Sequence, residues 1–299
     1  MFQISEQQYQ AELKAVQDDL DANPWPEDLY EARTLYDEMG PLVSDDIHVD
    51  SFTIDYMDAQ IFTPPVSDEE RIILFLHGGG YVYGSMKSHA GMVAEIARYA
   101  ESKALHMNYR LAPETPYPAA VDDACLAYEW LLEKGYQANK ISIVGDSAGG
   151  GLVMCTLIAL KEKGVALPGS TVCISPWVDL EGKGESYQTR QELDPMIDQG
   201  IVEFVTTNYL NGADPKLPTV SPIHGDFTGF PPLLVQVGER EVLFSDAQML
   251  VEKAQASGMD VTFEEWKDMV HVWHLFYPML TAGREAMYKV GRFIIDKTA

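Results

Sequence analysis

The chain has 299 residues, 46% of them apolar, and carries 46 acidic against 21 basic side chains for a formal charge of -25. That is material for one large core or two small ones, under a surface that repels nucleic acid and anionic membranes. Cys125, Cys155 and Cys173 form no C-x-x-C pair, which excludes a disulfide framework and reads as buried small hydrophobes in a reducing compartment.

The N-terminus has no basic start followed by an apolar core, and no apolar run reaches membrane-span length, so a cytoplasmic protein without integral membrane association is expected. Tyr9, Leu13, Val16 and Leu20 then recur on one helical face. Asn23-Pro24-Trp25-Pro26 interrupts them. Leu29, Ala32, Leu35 and Met39 form a second stripe, which Gly40-Pro41 ends. Residues 1–45 have no strand partner of their own and are expected to act as cap helices.

From about residue 47 the period changes to two. His48 to Ile54 and Met57 to Phe62 predict a strand pair joined by a tight turn. Arg71 to His77 is a dense apolar strand, 88–100 a helix, Lys103 to Tyr109 a strand and 120–134 a helix. A strand over 140–146 is followed by a helix over 148–162, then a strand from Thr171 to Ser175. Leu233 to Val237 and Val261 to Trp266 are two more strands with a helix between them. A helix over about 275–295 closes the chain. This alternation predicts an α/β domain over 46–299 with a mostly parallel sheet covered on both faces. The interval 182–230 breaks the rhythm, with a helical segment near 195–210, and is expected to be an insertion that forms one lid with the N-terminal helices.

Chemistry gathers where strands end. Gly145-Asp146-Ser147-Ala148-Gly149 fits G-x-S-x-G between an apolar strand and a small-residue helix, the context of a nucleophile elbow. Ser147 is the expected nucleophile. His77-Gly78-Gly79-Gly80 closes an earlier strand, and the amides of Gly78, Gly79 and Ala148 are the expected oxyanion hole. His77 is expected to brace that loop. The base should come after the last strand, and His271 lies five residues past Trp266. His274, at the expected start of the last helix, is read as a cap or pocket-lining residue. The acid should follow Val237, where Glu239, Glu241 and Asp246 compete. Glu241, at the loop-to-helix junction, is favoured because its longer side chain reaches the histidine loop. Arg110 and Glu114 are read as an ion pair holding the Pro113 to Pro118 loop. Tyr81, Tyr83, Trp177, Met196 and Phe204 are candidate pocket residues.

These stretches together resemble the hormone-sensitive-lipase-like branch of the α/β-hydrolases, the bacterial family IV esterases. The resemblance rests on His77 to Ser85, Tyr109 to Glu114, Tyr117 to Ala120, Gly145 to Gly150, Ser175 to Leu180 and Met269-Val270-His271. It implies an α/β-hydrolase fold with an eight-stranded sheet, a two-part helical cap and a serine esterase that prefers short acyl chains. It also implies Ser147 as nucleophile, His271 as base and Gly78, Gly79 and Ala148 as oxyanion donors. The family's commonest pattern has aspartate in a G-x-x-D-x-L loop, whereas this chain has Glu241 in Gly238-Glu239-Arg240-Glu241-Val242-Leu243.

The expected activity is hydrolysis of short- to medium-chain acyl esters through an acyl-enzyme. A lactonase, deacetylase or amidase would use the same site. A non-catalytic small-molecule receptor would have to lose the base that His271 supplies. A dinucleotide-binding oxidoreductase lacks its cue, because no G-x-G-x-x-G follows the strand ending at His77. No cofactor is required. His271 and His274 stand three apart with no companion ligand cluster, so no metal is expected. The expected partner is a small-molecule ester. A homodimer is compatible with this reading, which leaves oligomeric state open.

Overall fold

A computed structural model describes residues 2–299. Two helices, α1 (Glu6–Ala22) and α2 (Leu29–Met39), precede the strands β1 (His48–Ile54), β2 (Met57–Thr63) and β3 (Asp68–Leu76). Next come α3 (Met86–Tyr99), β4 (Ser102–Met107), α4 (Ala119–Glu133), β5 (Ile141–Asp146), α5 (Ala148–Glu162) and β6 (Ser170–Ile174). The interval before the next strand holds α6 (Ser186–Thr189) and α7 (Gln199–Leu210). The chain ends with β7 (Leu233–Gly238), α8 (Phe244–Ala256), β8 (Val261–Trp266) and α9 (Thr281–Lys297).

The strands form one eight-stranded sheet in the order β1-β2-β4-β3-β5-β6-β7-β8. β1, β2 and β4 pair antiparallel, and every pairing from β4 through β3 to β8 is parallel. Period-two alternation divides the apolar side chains between the two faces. Ile72, Leu74, Leu76, Ile141 and Ile143 join one buried cluster with α4 and α5. Ile73, Phe75, Val144, Val172 and Leu234 join another with α3 and α9. Both faces are therefore dry, as a parallel sheet requires. All three cysteines are free and buried, and burial raises their thiol pKa values, which keeps them unreactive.

Two expectations are corrected. The last helix begins at Thr281, not near 275. Trp273–Phe276 forms a separate 3-10 turn, and Pro278 has no N–H with which to continue a helical ladder. Arg110 and Glu114 do not pair with each other. Arg110 Nη2 reaches Asp123 Oδ1 of α4 at 2.6 Å, while Glu114 Oε1 takes Arg33 Nη1 of α2 at 2.8 Å. Asp123 is fully buried, so it has first claim on the nearest guanidinium.

Candidate active site

β5 ends at Asp146, and Ser147 turns the chain into α5 with φ 53° and ψ −122°. This is an uncommon backbone for a residue with a side chain. It is held by Ser147 N–H to Ile174 O at 2.8 Å and by Trp177 N–H to Ser147 O at 2.9 Å. The turn needs glycine on both sides: a Cβ at Gly145 would overlap Gly149 O, and one at Gly149 would overlap Leu76 O. Ser147 is buried yet lines a cavity of about 440 Å³.

His271 Nε2 stands 2.9 Å from Ser147 Oγ, and His271 Nδ1 stands 3.0 Å from Glu241 Oε2. An ionised carboxylate only accepts, so Nδ1 carries the proton and Nε2 is free to accept the serine O–H. Glu241 is fully buried, which raises its pKa. Its Oε1 accepts Ser175 O–H at 2.7 Å and Gly238 N–H at 2.5 Å, so three donors converge on the carboxylate. Burial alone would lower the His271 pKa. The hydrogen bond and charge of Glu241, with Asp194 and Asp146 beyond it, outweigh burial and leave it raised.

The competing carboxylates lie elsewhere. Glu239 Oε2 accepts Asp268 N–H at 3.1 Å. Asp246 Oδ1 accepts the N–H groups of Val178 and Asp179, and burial pushes its pKa up to about 7. His274 neither caps the last helix nor lines the cavity. It is fully buried, with Nε2 2.8 Å from Gln236 Oε1 of β7.

The glycine loop departs from expectation. Gly78 N–H donates to Asp146 Oδ1 at 3.0 Å, so it is spent inside the protein, and Gly78 does not line the cavity. Gly79 and Gly80 do line it, with φ 110° and 63°. Among the described residues neither of their N–H groups has a protein acceptor. Ala148 opens α5, where an N–H has no intrahelical partner. His77 accounts for the loop's rigidity: its Nδ1 lies 2.8 Å from Gly78 O, and its ring stacks on Tyr109 with centroids 4.2 Å apart. Burial and the neighbouring His89 lower the His77 pKa to about 3, so the ring stays neutral.

The pocket candidates divide. Tyr83, Trp177 and Met196 line the cavity. Tyr81 does not: its ring stacks on Tyr209 at 3.8 Å, inside the core. Phe204 lies outside the lining and packs behind Tyr83 at 6.4 Å. Trp25 from the linker between α1 and α2, with Tyr36 and Met39 from α2, shares the lining with Asp194, Ile201 and Val205 from the insertion, so both parts of the expected lid close one space.

Three residues escaped the sequence reading. Asp146, the variable position of G-x-S-x-G, holds Gly78 N–H on one oxygen and His89 Nε2 on the other at 3.3 Å. Ser175 donates to Glu241 and accepts Val272 N–H at 3.2 Å, tying the acid loop to the histidine loop. Asp194 Oδ2 accepts Val242 N–H at 2.9 Å, next to Glu241. Ser175 sits at φ 46° at the end of β6, and a residue following a parallel strand was the available signal for it.

The profile of a family described as alpha/beta hydrolase fold matches residues 73–275. An acetyl-hydrolase of Streptomyces hygroscopicus is 44% identical over 234 residues, 78% of each chain. A crystallised esterase/lipase from an uncultured bacterium superposes with a TM-score of 0.93 at 42% identity, over 96% of this chain and 98% of that one. A crystallised esterase of the bacterial hormone-sensitive lipase family gives a TM-score of 0.93 at 39% identity, over 99% of this chain and 100% of that one.

Proposed function

The chain belongs to the alpha/beta hydrolase fold family and is an esterase of its bacterial hormone-sensitive-lipase-like branch; from that premise we propose that it cleaves short- to medium-chain acyl esters through an acyl-enzyme on Ser147. The observation that carries the mechanism is the unbroken chain Ser147 Oγ, His271 Nε2, His271 Nδ1, Glu241 Oε2, with links of 2.9 and 3.0 Å. Ser147 Oγ attacks the ester carbonyl carbon as its proton passes to His271 Nε2. Glu241 holds the imidazole tautomer and offsets the imidazolium charge. The amides of Gly79, Gly80 and Ala148 receive the oxyanion, each worth roughly 3 kcal/mol in the transition state. Gly78 positions that loop instead of donating. Collapse breaks the bond to the alcohol oxygen, which leaves with the proton from His271. Water gives a proton to His271, attacks the acyl carbon, and Ser147 recovers its hydrogen.

Substrate size follows from the walls. The cavity is bounded largely by apolar side chains and both lid segments, which suits a small ester better than a bulky one. The Streptomyces relative's name, acetyl-hydrolase, supports the short end of the range. The same reading divides the chain into cap residues 1–45, a catalytic domain 46–299 and a cap insertion 182–230. In a direct test, a fluorophosphonate labels the protein but not Ser147→Ala, and rates on p-nitrophenyl acetate and octanoate exceed those on an anilide and a lactone. Faster lactone or anilide cleavage would assign the site to a different acyl transfer.

A further inference from the structure

We propose that Met39 and Met196 form a movable partition between the substrate cavity and a second cavity, which accepts the far end of a linear alkyl chain of the ester. The second cavity has a volume of about 110 Å³. It shares Tyr36, Met39 and Met196 with the main cavity, so these three side chains are the wall between the two spaces. Its remaining boundary is chiefly apolar, with Pro41, Leu275, Phe276 and Met279 contributing; the polar residues there are Ser88, which spends its hydroxyl on Ser85 O, and the half-buried Asp19. A volume of that size is about four waters' worth at ~30 Å³ each, enough for a few methylenes.

The three wall residues differ in mobility. Tyr36 is a fixed post, its ring meeting Trp25 and His89 edge-on at 5.6 and 5.5 Å. Met39 and Met196 are half-buried and unbranched, with three rotatable bonds and a soft thioether that re-packs readily. Their backbones are nevertheless anchored. Gly40, directly after Met39, is pressed so closely on Ser88 O that a Cβ there would overlap it. Met196 N–H donates to buried Asp194 Oδ1 at 3.0 Å. Fixed backbones carrying mobile side chains make a partition that opens by rotamer change, without moving either lid segment. A chain crossing it leaves water, and each buried methylene is worth about fourfold in binding.

This inference rests on the esterase reading, and the test separates the two. The kcat/KM values are measured for p-nitrophenyl esters from acetate to dodecanoate and for alkyl acetates of matching length, so that the acyl and alkoxy arms are read apart. Met196→Ala and Met39→Ala are expected to raise the C10-to-C2 ratio at least tenfold in one series. Met196→Leu, close to methionine in volume but branched and with fewer rotatable bonds, is expected to leave the ratio at or below the parent value. Adding Met279→Trp, which fills the rear cavity from its half-exposed side, is expected to cancel the gain. Unchanged ratios in both series, with acetate still cleaved, would overturn the partition alone. No cleavage of any ester by the parent would overturn the esterase reading and the partition with it. If one alanine variant fails to fold by its melting curve, the other carries the same expectation.

Discussion

Ser147, Ser175 and Val272 all occupy positive φ, at 53°, 46° and 46°. For a β-branched residue such as Val272 this is a strained conformation. Each is tied to its surroundings by hydrogen bonds: Ser175 Oγ joins Glu241 to Val272 N–H, and Ser147 N–H donates to Ile174 O, directly before Ser175. The strain is thus held by contacts that also set the histidine beside the serine. Ser147→Ala and His271→Ala are expected to abolish ester turnover with an unchanged circular dichroism spectrum. His274→Ala is expected to lower the melting temperature through lost buried contacts while kcat of the folded protein survives. Glu241→Gln should cost about 10⁴ in kcat, by analogy with loss of a triad acid, whereas Glu239→Gln should stay within about tenfold. Steady-state rates on p-nitrophenyl acetate decide it, and the reverse order would move the acid to Glu239.

The pH profile belongs to the same scale. His271 must be neutral to take the serine proton, and its pKa is raised despite burial, by Glu241 first and then by Asp194 and Asp146. The acid limb of kcat/KM is therefore expected above the ordinary histidine value of about 6.5. Asp194→Asn removes one of the negative charges that favour the imidazolium, so the limb should move to lower pH. A limb that stays in place would show that the Asp194 carboxylate does not act on His271.

At the scale of elements, two tethers join the lid to the catalytic sheet. α2 is held by Arg33, whose guanidinium reaches Val82 O and Ala112 O at 2.8 Å and Glu114 Oε2 at 2.9 Å. The Arg33 hydrogen bond lowers the Glu114 pKa to about 2. The insertion grips the acid loop through Arg190 to Glu239 O, Arg240 Nε to Leu193 O and Asp194 to Val242 N–H. Arg33→Ala is expected to cost about 1–2 kcal/mol in urea unfolding, at the lower end for charge-assisted bonds because Glu114 is half-exposed. It should also raise KM several-fold, since α2 carries Tyr36 and Met39 into the cavity wall. An unchanged KM would show that α2 keeps its place without that tether.

At the scale of the whole molecule, 46 acidic residues face 21 basic ones, and like charges repel within a compact shape. Added salt screens that repulsion over a Debye length of about 8 Å at 0.15 M. The melting temperature is therefore expected to rise by about 2 °C or more between low salt and 0.3 M sodium chloride, read by calorimetry. A fall would mean that the surface ion pairs outweigh the net repulsion. No helix among the described residues is long and apolar enough to cross a membrane.

Local pattern was enough to place the sheet strands, the Ser147 turn and the His271 loop, because apolar period and glycine demand are properties of a few neighbouring residues. It also brought Glu241 forward among three carboxylates, although its hydrogen bond to His271 spans 30 positions and needed the folded loops to be seen. Contacts across larger separations decided the rest. Gly78 lost its expected role because Asp146, 68 residues away, takes its N–H. Glu114 lost its expected partner Arg110 to Asp123 and pairs instead with Arg33, 81 residues earlier, and Tyr81 left the pocket for a stack on Tyr209. A hydrogen-bond donor has one best acceptor and a ring one best face, and which of several plausible partners wins is settled by how distant segments pack.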